Sequence, residues 1–210
     1  MSPRSEILAA VRAGIAAAAP PPEPPRGYRR SGRRSPAEVA ELFAERVAEY
    51  RARVVRLAAP ELAGALADAC GERGAGRIGV PADLPAEWRP DGVELVVDRE
   101  LPAPALDRLD GALTGCALGI AETGTVVLDG GPAQGRRALT LVPDYHLCVV
   151  RDEQLVELVP EAIERLEPAA RDGRPITFVS GPSATSDIEL SRVEGVHGPR
   201  TLDVFLVGTP

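Results

Sequence analysis

Two stretches of this chain carry residues whose types and spacing can do chemistry. The first is Ala121-Glu122-Thr123-Gly124-Thr125, set between two apolar runs. It puts a carboxylate where a strand ends and a glycine-assisted turn or bulge begins. A carboxylate flanked by apolar residues has its pKa raised and can serve as base or nucleophile. Glu122 is therefore a candidate catalytic residue, with Thr123, Gly124 and Thr125 as candidate ligand contacts. The plainer reading is a partly exposed turn glutamate whose neighbouring threonines satisfy backbone groups.

The second stretch runs from Pro175 to Gly208. Ile176 to Ser180 reads as a strand leaving the core, and Gly181-Pro182 as a tight turn in which glycine permits positive φ. Ser186-Asp187-Ile188-Glu189 fits a capping box, so a helix is expected to begin just after Ser186. Amide N–H groups at a helix start attract anions, and Ser183, Thr185 and Ser186 add hydroxyl donors; together they can cradle a carboxylate or phosphate. Asp187 works against this, because a carboxylate in the first turn repels a second anion unless it is paired or protonated. Otherwise Asp187 and Glu189 only stabilise the helix N-terminus. Next comes His197, with Gly195 and Gly198 on either side of Val196-His197. Its ordinary pKa near neutrality suits a general acid/base or an orienting donor; a loop-stabilising hydrogen bond is the other reading. His146, just before a strand, reads as structural. Glu122, Asp187 and His197 make a set of two carboxylates and a histidine with no metal-ligand spacing.

The elements that must position these residues begin with a short amphipathic helix. Ser2 caps it, Pro3 takes its first position, and Ile7, Leu8, Val11 and Ile15 share one face. Pro20 to Arg34 is rich in Pro, Gly and Arg and is expected to run extended or disordered, with Arg29, Arg30, Arg33 and Arg34 solvated or facing an acidic partner. Ser35-Pro36-Ala37-Glu38 is a capping box with proline at the first helical position. The helix it opens carries Val39, Leu42, Phe43, Val47, Tyr50, Val54 and Leu57 as one stripe until Pro60. Leu62, Leu66 and Cys70 mark another helix, stopping within Gly71–Gly76. Strand candidates follow at 77–81, 93–98, 116–121, 125–128, 147–150, 176–180 and 204–207, with a helix expected over Asp152–Leu166 that buries Leu155, Val156, Val159, Ile163 and Leu166. Apolar strands alternating with helices predict an α/β fold with a mostly parallel sheet covered on both sides, and ligands at the carboxyl ends of its strands. The chain divides into an N-terminal helix and Pro/Arg-rich linker over 1–35 and an α/β domain over 36–210.

Composition bounds the rest. With 210 residues there is length for one ordinary domain plus an appendage. Aromatics are only 3%, so the core must be built from Ala, Val, Leu and Ile. All 24 basic side chains are arginine, which fits a coding bias that also favours Ala, Gly and Pro. A net charge of −7 argues against non-specific nucleic-acid binding. No apolar run approaches the roughly 20 residues of a membrane helix. Glu6 and Arg12 interrupt the alanine-rich N-terminus, so an export signal is not expected and a cytoplasmic location is. Cys70, Cys116 and Cys148 form no CxxC pair; they are expected to be small buried hydrophobes, with neither zinc nor an iron–sulfur cluster held by this chain alone.

Four segments, in order, resemble the lactate-utilisation protein C family, whose members share the LUD domain: GCALGIAETGTVVLD (115–129), LTLVPDYHLCVV (139–150), ITFVSGPSATSDIE (176–189) and GVHGP (195–199). The resemblance covers about the last hundred residues. It implies a three-layer α/β/α fold similar to that of glucosamine-6-phosphate deaminase, ribose-5-phosphate isomerase and coenzyme A transferases, the NagB/RpiA/CoA transferase-like fold, here preceded by N-terminal helices. It also implies a subunit of an L-lactate oxidation system, lactate to pyruvate, working with two iron–sulfur partner proteins that hold the clusters, with no cofactor on this chain and a small organic anion such as lactate or pyruvate as ligand. Ala184 stands where relatives are expected to carry a polar or basic residue, so a side-chain contact there is lost. Two alternatives stay open: a stand-alone enzyme of the coenzyme A transferase or sugar-phosphate isomerase type using Glu122, and a small-anion sensor or binding module. Whether the subunit is itself catalytic is also open, as is a homo-oligomer in which the N-terminal helix packs on a neighbouring copy.

Overall fold

A first helix, α1 (Pro3–Ala16), precedes the main body, and the Ser2 hydroxyl accepts from the Ser5 N–H at 3.4 Å at its start. The computed structural model describes residues 2–16, 22–182 and 198–208. The apolar face of α1 is as expected, but Ile7, Leu8, Val11 and Ile15 are all exposed, and the helix buries no residue. No helix among the described residues is long and apolar enough to cross a membrane.

The capping box at Ser35 forms as its spacing predicts. The Glu38 carboxylate accepts from the Ser35 N–H at 2.8 Å while the Ser35 hydroxyl accepts from the Glu38 N–H at 3.4 Å. It opens α2 (Pro36–Glu49), which buries Val39, Ala40, Phe43 and Val47. The expected stripe runs too far: the chain leaves the helix at Tyr50, Arg51 takes φ 63°, and Val54 and Leu57 belong to a strand, β1 (Arg53–Ala58). Adjacent β-branched Val54 and Val55 favour that extended backbone. A 3-10 turn at Ala59–Glu61 leads into α3 (Leu62–Arg73), which ends at Gly74 in the left-handed conformation. Then come β2 (Arg77–Val80), β3 (Glu94–Val97), the short α4 (Ala103–Leu106), β4 (Gly111–Thr114), β5 (Leu118–Ile120), β6 (Thr125–Leu128), β7 (Tyr145–Arg151), β8 (Leu155–Val156), α5 (Val159–Arg171), β9 (Thr177–Val179) and β10 (Thr201–Gly208).

Six strands form the main sheet in the order β1-β10-β7-β4-β2-β3, and every ladder in it is parallel. Alternation along the central strands sorts its two faces. Leu147, Val149, Phe205 and Val207 pack with Leu62 and Leu66 of α3 on one side. Cys148, Val150, Val204 and Leu206 pack with Val39, Phe43 and Val47 of α2 on the other. The result is a three-layer α/β/α arrangement with a mostly parallel sheet.

The remaining strands do not join that sheet, contrary to the single-sheet reading. They form a second sheet in the order β8-β5-β6-β9, with β5·β6 and β6·β9 antiparallel and β5·β8 parallel. Val126 and Leu128 face the α2 side of the main sheet, whereas Leu118, Ile120 and Val127 face α5. The helix expected over Asp152–Leu166 is also corrected. Asp152–Gln154 is a 3-10 turn, Leu155 and Val156 pair with β5, and α5 begins only at Val159. The Glu161 carboxylate accepts from the Leu158 N–H at 2.8 Å, which fixes the later start. That start rotates the buried face to Ala162, Leu166 and Ala169, leaving Val159 and Ile163 exposed.

Candidate functional site

The antiparallel β6·β9 pair brings the two chemistry-bearing stretches together. Thr125 shares one hydrogen bond of 2.7 Å with the Thr123 hydroxyl and another of 2.7 Å with the Ser180 hydroxyl. Gly124 and Gly181 are turn glycines that also make close contacts. Both have positive φ, at 57° and 81°, and both press on the end of α2. A Cβ on Gly124 would lie 2.6 Å from the carbonyl carbon of Arg46, and one on Gly181 would lie 2.6 Å from the Cβ of Tyr50. These glycines admit a helix.

Glu122 lies in the turn just after β5, as expected, but its surroundings are not apolar. Its side chain is 51% exposed and pairs with Arg29 at 3.3 Å, because the linker crosses at this point. Residues 22–34 of the linker form no helix or strand, as expected, and all but half-buried Gly32 are exposed, yet the segment is fastened to the domain. Glu157 holds it down. That side chain is only 3% exposed; one carboxylate oxygen accepts the N–H groups of Arg33 at 2.6 Å and Arg34 at 2.8 Å, and the other accepts the Arg34 guanidinium at 2.7 Å. Backbone donors and the arginine hold the Glu157 carboxyl below its usual range, the Arg34 N–H contributing most. The Gly32 N–H goes to Glu161 at 3.0 Å. Glu157 was hidden in the sequence inside an expected helix; its one visible signal was an acid amid Leu155, Val156 and Leu158.

The described part of the site is a cleft between β9, the edge of the small sheet, and the start of β7. Its narrow end is a cavity of about 70 Å³ lined by Arg137, Thr140, His146, Ser180, Gly198 and Pro199, among others. Arg137, Thr140 and Thr177 also line a wider cavity of about 330 Å³ that continues past Pro175 and Gln134. The carboxyl-end rule placed the site elsewhere. His146 is the second residue of β7, so the cleft lies at the amino end of that parallel strand. The reason is that Ile176–Ser180 belongs to the antiparallel small sheet, where the rule has no purchase.

One wall is a loop with a rigid base. Asp129 accepts from the Gly131 N–H at 3.0 Å and from Gln134 Nε2 at 2.8 Å, and pairs with Arg174 at 3.1 Å. Arg136 goes to Asp98, at 2.7 and 3.0 Å. Arg137 donates to the Thr140 hydroxyl at 3.0 Å, and burial pulls its pKa down. His146 is buried, with Nε2 sharing a 2.8 Å hydrogen bond with the Thr114 hydroxyl. Burial, then the nearby Arg137 charge, lowers its pKa to about 4, so the ring is neutral near neutral pH. That bond agrees with a structural His146, although the ring also faces the cleft. Arg137 and Thr140 escaped the sequence reading; the available signal was an Arg-Arg pair after glycines 130, 131 and 135.

Of the other candidates, Gly181, Pro182 and Gly198 line the narrow cavity. Asp187, His197, Ser183, Thr185, Ser186 and Gly195 lie outside the described residues, as does Ala184. The three cysteines are buried and unbridged.

Comparison with known proteins matches residues 98–207 to the family model described as the LUD domain. The chain is 48% identical over 204 residues to a lactate utilization protein C of Deinococcus radiodurans, covering 97% of this chain and 94% of that one. It is 37% identical over 93 residues to a lactate utilization protein C of Shouchella clausii, a match spanning 43% of this chain and 40% of the other. Among solved structures, a DUF162 family protein from Deinococcus radiodurans superposes with a TM-score of 0.74 at 44% identity, covering 84% of this chain and 100% of that one.

Proposed function

This chain belongs to the LUD-domain family, and from that premise we propose that it serves lactate utilisation as a subunit of an L-lactate-oxidising system. Oxidising lactate to pyruvate turns the C2 alcohol into a ketone and releases two protons and two electrons. In this reading the electrons pass to iron–sulfur clusters on partner proteins, and this chain binds and orients the small organic anion. The observation that carries the role is the near full-length kinship, at 48% identity, with a protein named for lactate utilisation.

The cleft beside β9 supports an anion-binding role, because its one wall carries a cation among hydroxyls. A stand-alone enzyme built on Glu122 has less behind it, since that carboxylate is half exposed and engaged by Arg29. The test is deletion of the gene followed by growth on L-lactate, with anaerobic purification of the tagged protein from its own cell. Loss of growth on lactate and co-purification with two iron–sulfur proteins are expected. A deletion strain that grows normally on lactate, with the tagged chain recovered alone, overturns the reading.

A further inference from the structure

The basic side chains around the cleft are not equivalent. Arg136 is neutralised by Asp98, and Arg174 by Asp129. Arg137 donates to the neutral Thr140 hydroxyl, and among the described residues no carboxylate pairs with it. A partly buried cation costs free energy unless something negative completes it. Here the cost shows twice, in the lowered pKa of Arg137 and in its further depression of His146. Burial first, and Arg137 second, keep His146 from adding a positive charge, so among the described residues the narrow cleft presents one cation.

We propose that Arg137 is the carboxylate-binding residue of this cleft, taking the planar carboxylate of a short-chain 2-hydroxy or 2-keto acid, with Thr140, Thr177 and Ser180 offering hydroxyls to the 2-oxygen. Three features choose this ligand. The guanidinium fork matches a carboxylate in two parallel hydrogen bonds. One cation without a carboxylate partner among the described residues suits a monoanion better than a phosphate dianion, which draws on several donors or charges. The narrow end, at about 70 Å³, shares Arg137, Thr140 and Thr177 with the cavity of about 330 Å³, which leaves room for a short acid whose carboxylate reaches Arg137. Val179 and Pro199 give that end an apolar side for a methyl group. The choice of a lactate-like acid rests on the proposed function; the carboxylate site stands on the geometry alone.

Isothermal titration of the full chain tests it, with L-lactate, pyruvate, lactamide and inorganic phosphate as separate arms. Wild type is expected to bind lactate or pyruvate and not neutral lactamide. Arg137→Gln is expected to weaken carboxylate binding at least tenfold, while Arg171→Gln, on the exposed face of α5, leaves it unchanged. If Arg137→Gln does not fold by circular dichroism, Arg137→Lys serves instead; it keeps the charge, loses the fork, and is expected to bind several-fold more weakly than wild type. Three results overturn the proposal: no carboxylate binding by wild type, equal binding by the folded Arg137 variant, or phosphate binding tighter than either acid. Carboxylate binding that disappears with Arg137, in a protein whose deletion leaves growth on lactate intact, would uphold the site and overturn the lactate role alone.

Discussion

The hydroxyls of Thr125 and Ser180 lie 2.7 Å apart, joining residues 55 positions apart in the chain. The bond sits where β6 begins and β9 has just ended, so it ties the turn after Ile120 to the edge of the cleft. With Thr123 it makes a chain of three hydroxyls joined by two hydrogen bonds, Thr125 in the middle.

Thr125→Val keeps the shape and removes the middle of this chain. Thr125 is buried, so the Thr123 and Ser180 hydroxyls each lose a partner in a partly enclosed place. The expected cost is about 1–2 kcal/mol. For a chain of this size that lowers Tm by about 2–8 °C. Calorimetry of the variant reads it directly, and an unchanged Tm would mean the hydroxyl chain contributes nothing to the fold.

Glu157 governs the linker. Removing its carboxylate leaves the N–H groups of Arg33 and Arg34 and the Arg34 guanidinium without their acceptor. Glu157→Ala is expected to cost about 2–3 kcal/mol, the range of several charge-assisted bonds partly replaced by water. Trypsin should then cut at Arg29, Arg30, Arg33 or Arg34 at least several-fold faster than in wild type. The pH sign follows from the lowered carboxyl pKa: the stabilisation is present above the ordinary value of 4.5 and is lost as pH falls through the lower folded value. Equal cleavage rates for variant and wild type would show that the linker is held elsewhere.

What could be read from the sequence was what neighbours dictate. The Ser35–Glu38 cap, the α3 stripe and the apolar runs of β2, β6 and β7 depend on residues a few positions apart, and they formed as expected. What failed depends on distant pairing. A two-residue strand such as Leu155–Val156 has no period of its own and looks like part of the helix after it. The α2 stripe overran into β1 because Val54 and Leu57 continue a helical spacing while their backbone is extended. Gly124 and Gly181 were read as turn glycines and have the positive φ that a turn glycine permits, but their close contact with α2 depends on distant packing. The Arg136-Arg137 pair after glycines was a weak local signal; Arg137 stands out only once Arg136 and Arg174 are seen to have acids of their own.

Asp203 anchors the start of β10 and is fully buried. The Tyr145 hydroxyl donates to one of its oxygens at 2.6 Å, Arg73 reaches the other at 3.2 Å, and the guanidinium lies 4.7 Å from the tyrosine ring centroid. Burial, followed by Asp203, pushes the phenol pKa upward. Asp203→Ala is expected to cost about 3 kcal/mol, the low end for breaking a buried pair, since Arg73 at 39% exposure still reaches water. Asp203→Asn keeps an acceptor for Tyr145 and should cost about 1 kcal/mol. Urea unfolding of the two variants measures the gap; equal losses would mean that the charge, and not the tyrosine bond, is what matters.

His146 makes stability depend on pH in a defined window. Its folded pKa is about 4, below the ordinary 6.5, because the ring is buried and stands near Arg137. Between those two values the unfolded chain binds a proton that the folded chain does not. Stability is therefore full above about pH 6.5 and falls as pH drops toward about 4, by up to about 1.4 kcal/mol per pH unit and about 3 kcal/mol in all. Carboxylates also titrate at the acid end, so the wild-type slope alone does not isolate the ring. His146→Gln does, because it keeps a polar group for Thr114 and cannot take up the proton. The difference in unfolding free energy between wild type and variant should shrink steadily from about pH 7 to about pH 4.5, the variant becoming relatively more stable in acid. A difference that stays constant across that window would show that His146 titrates alike in the folded and unfolded chain, and the buried, neutral ring beside Arg137 would have to be abandoned.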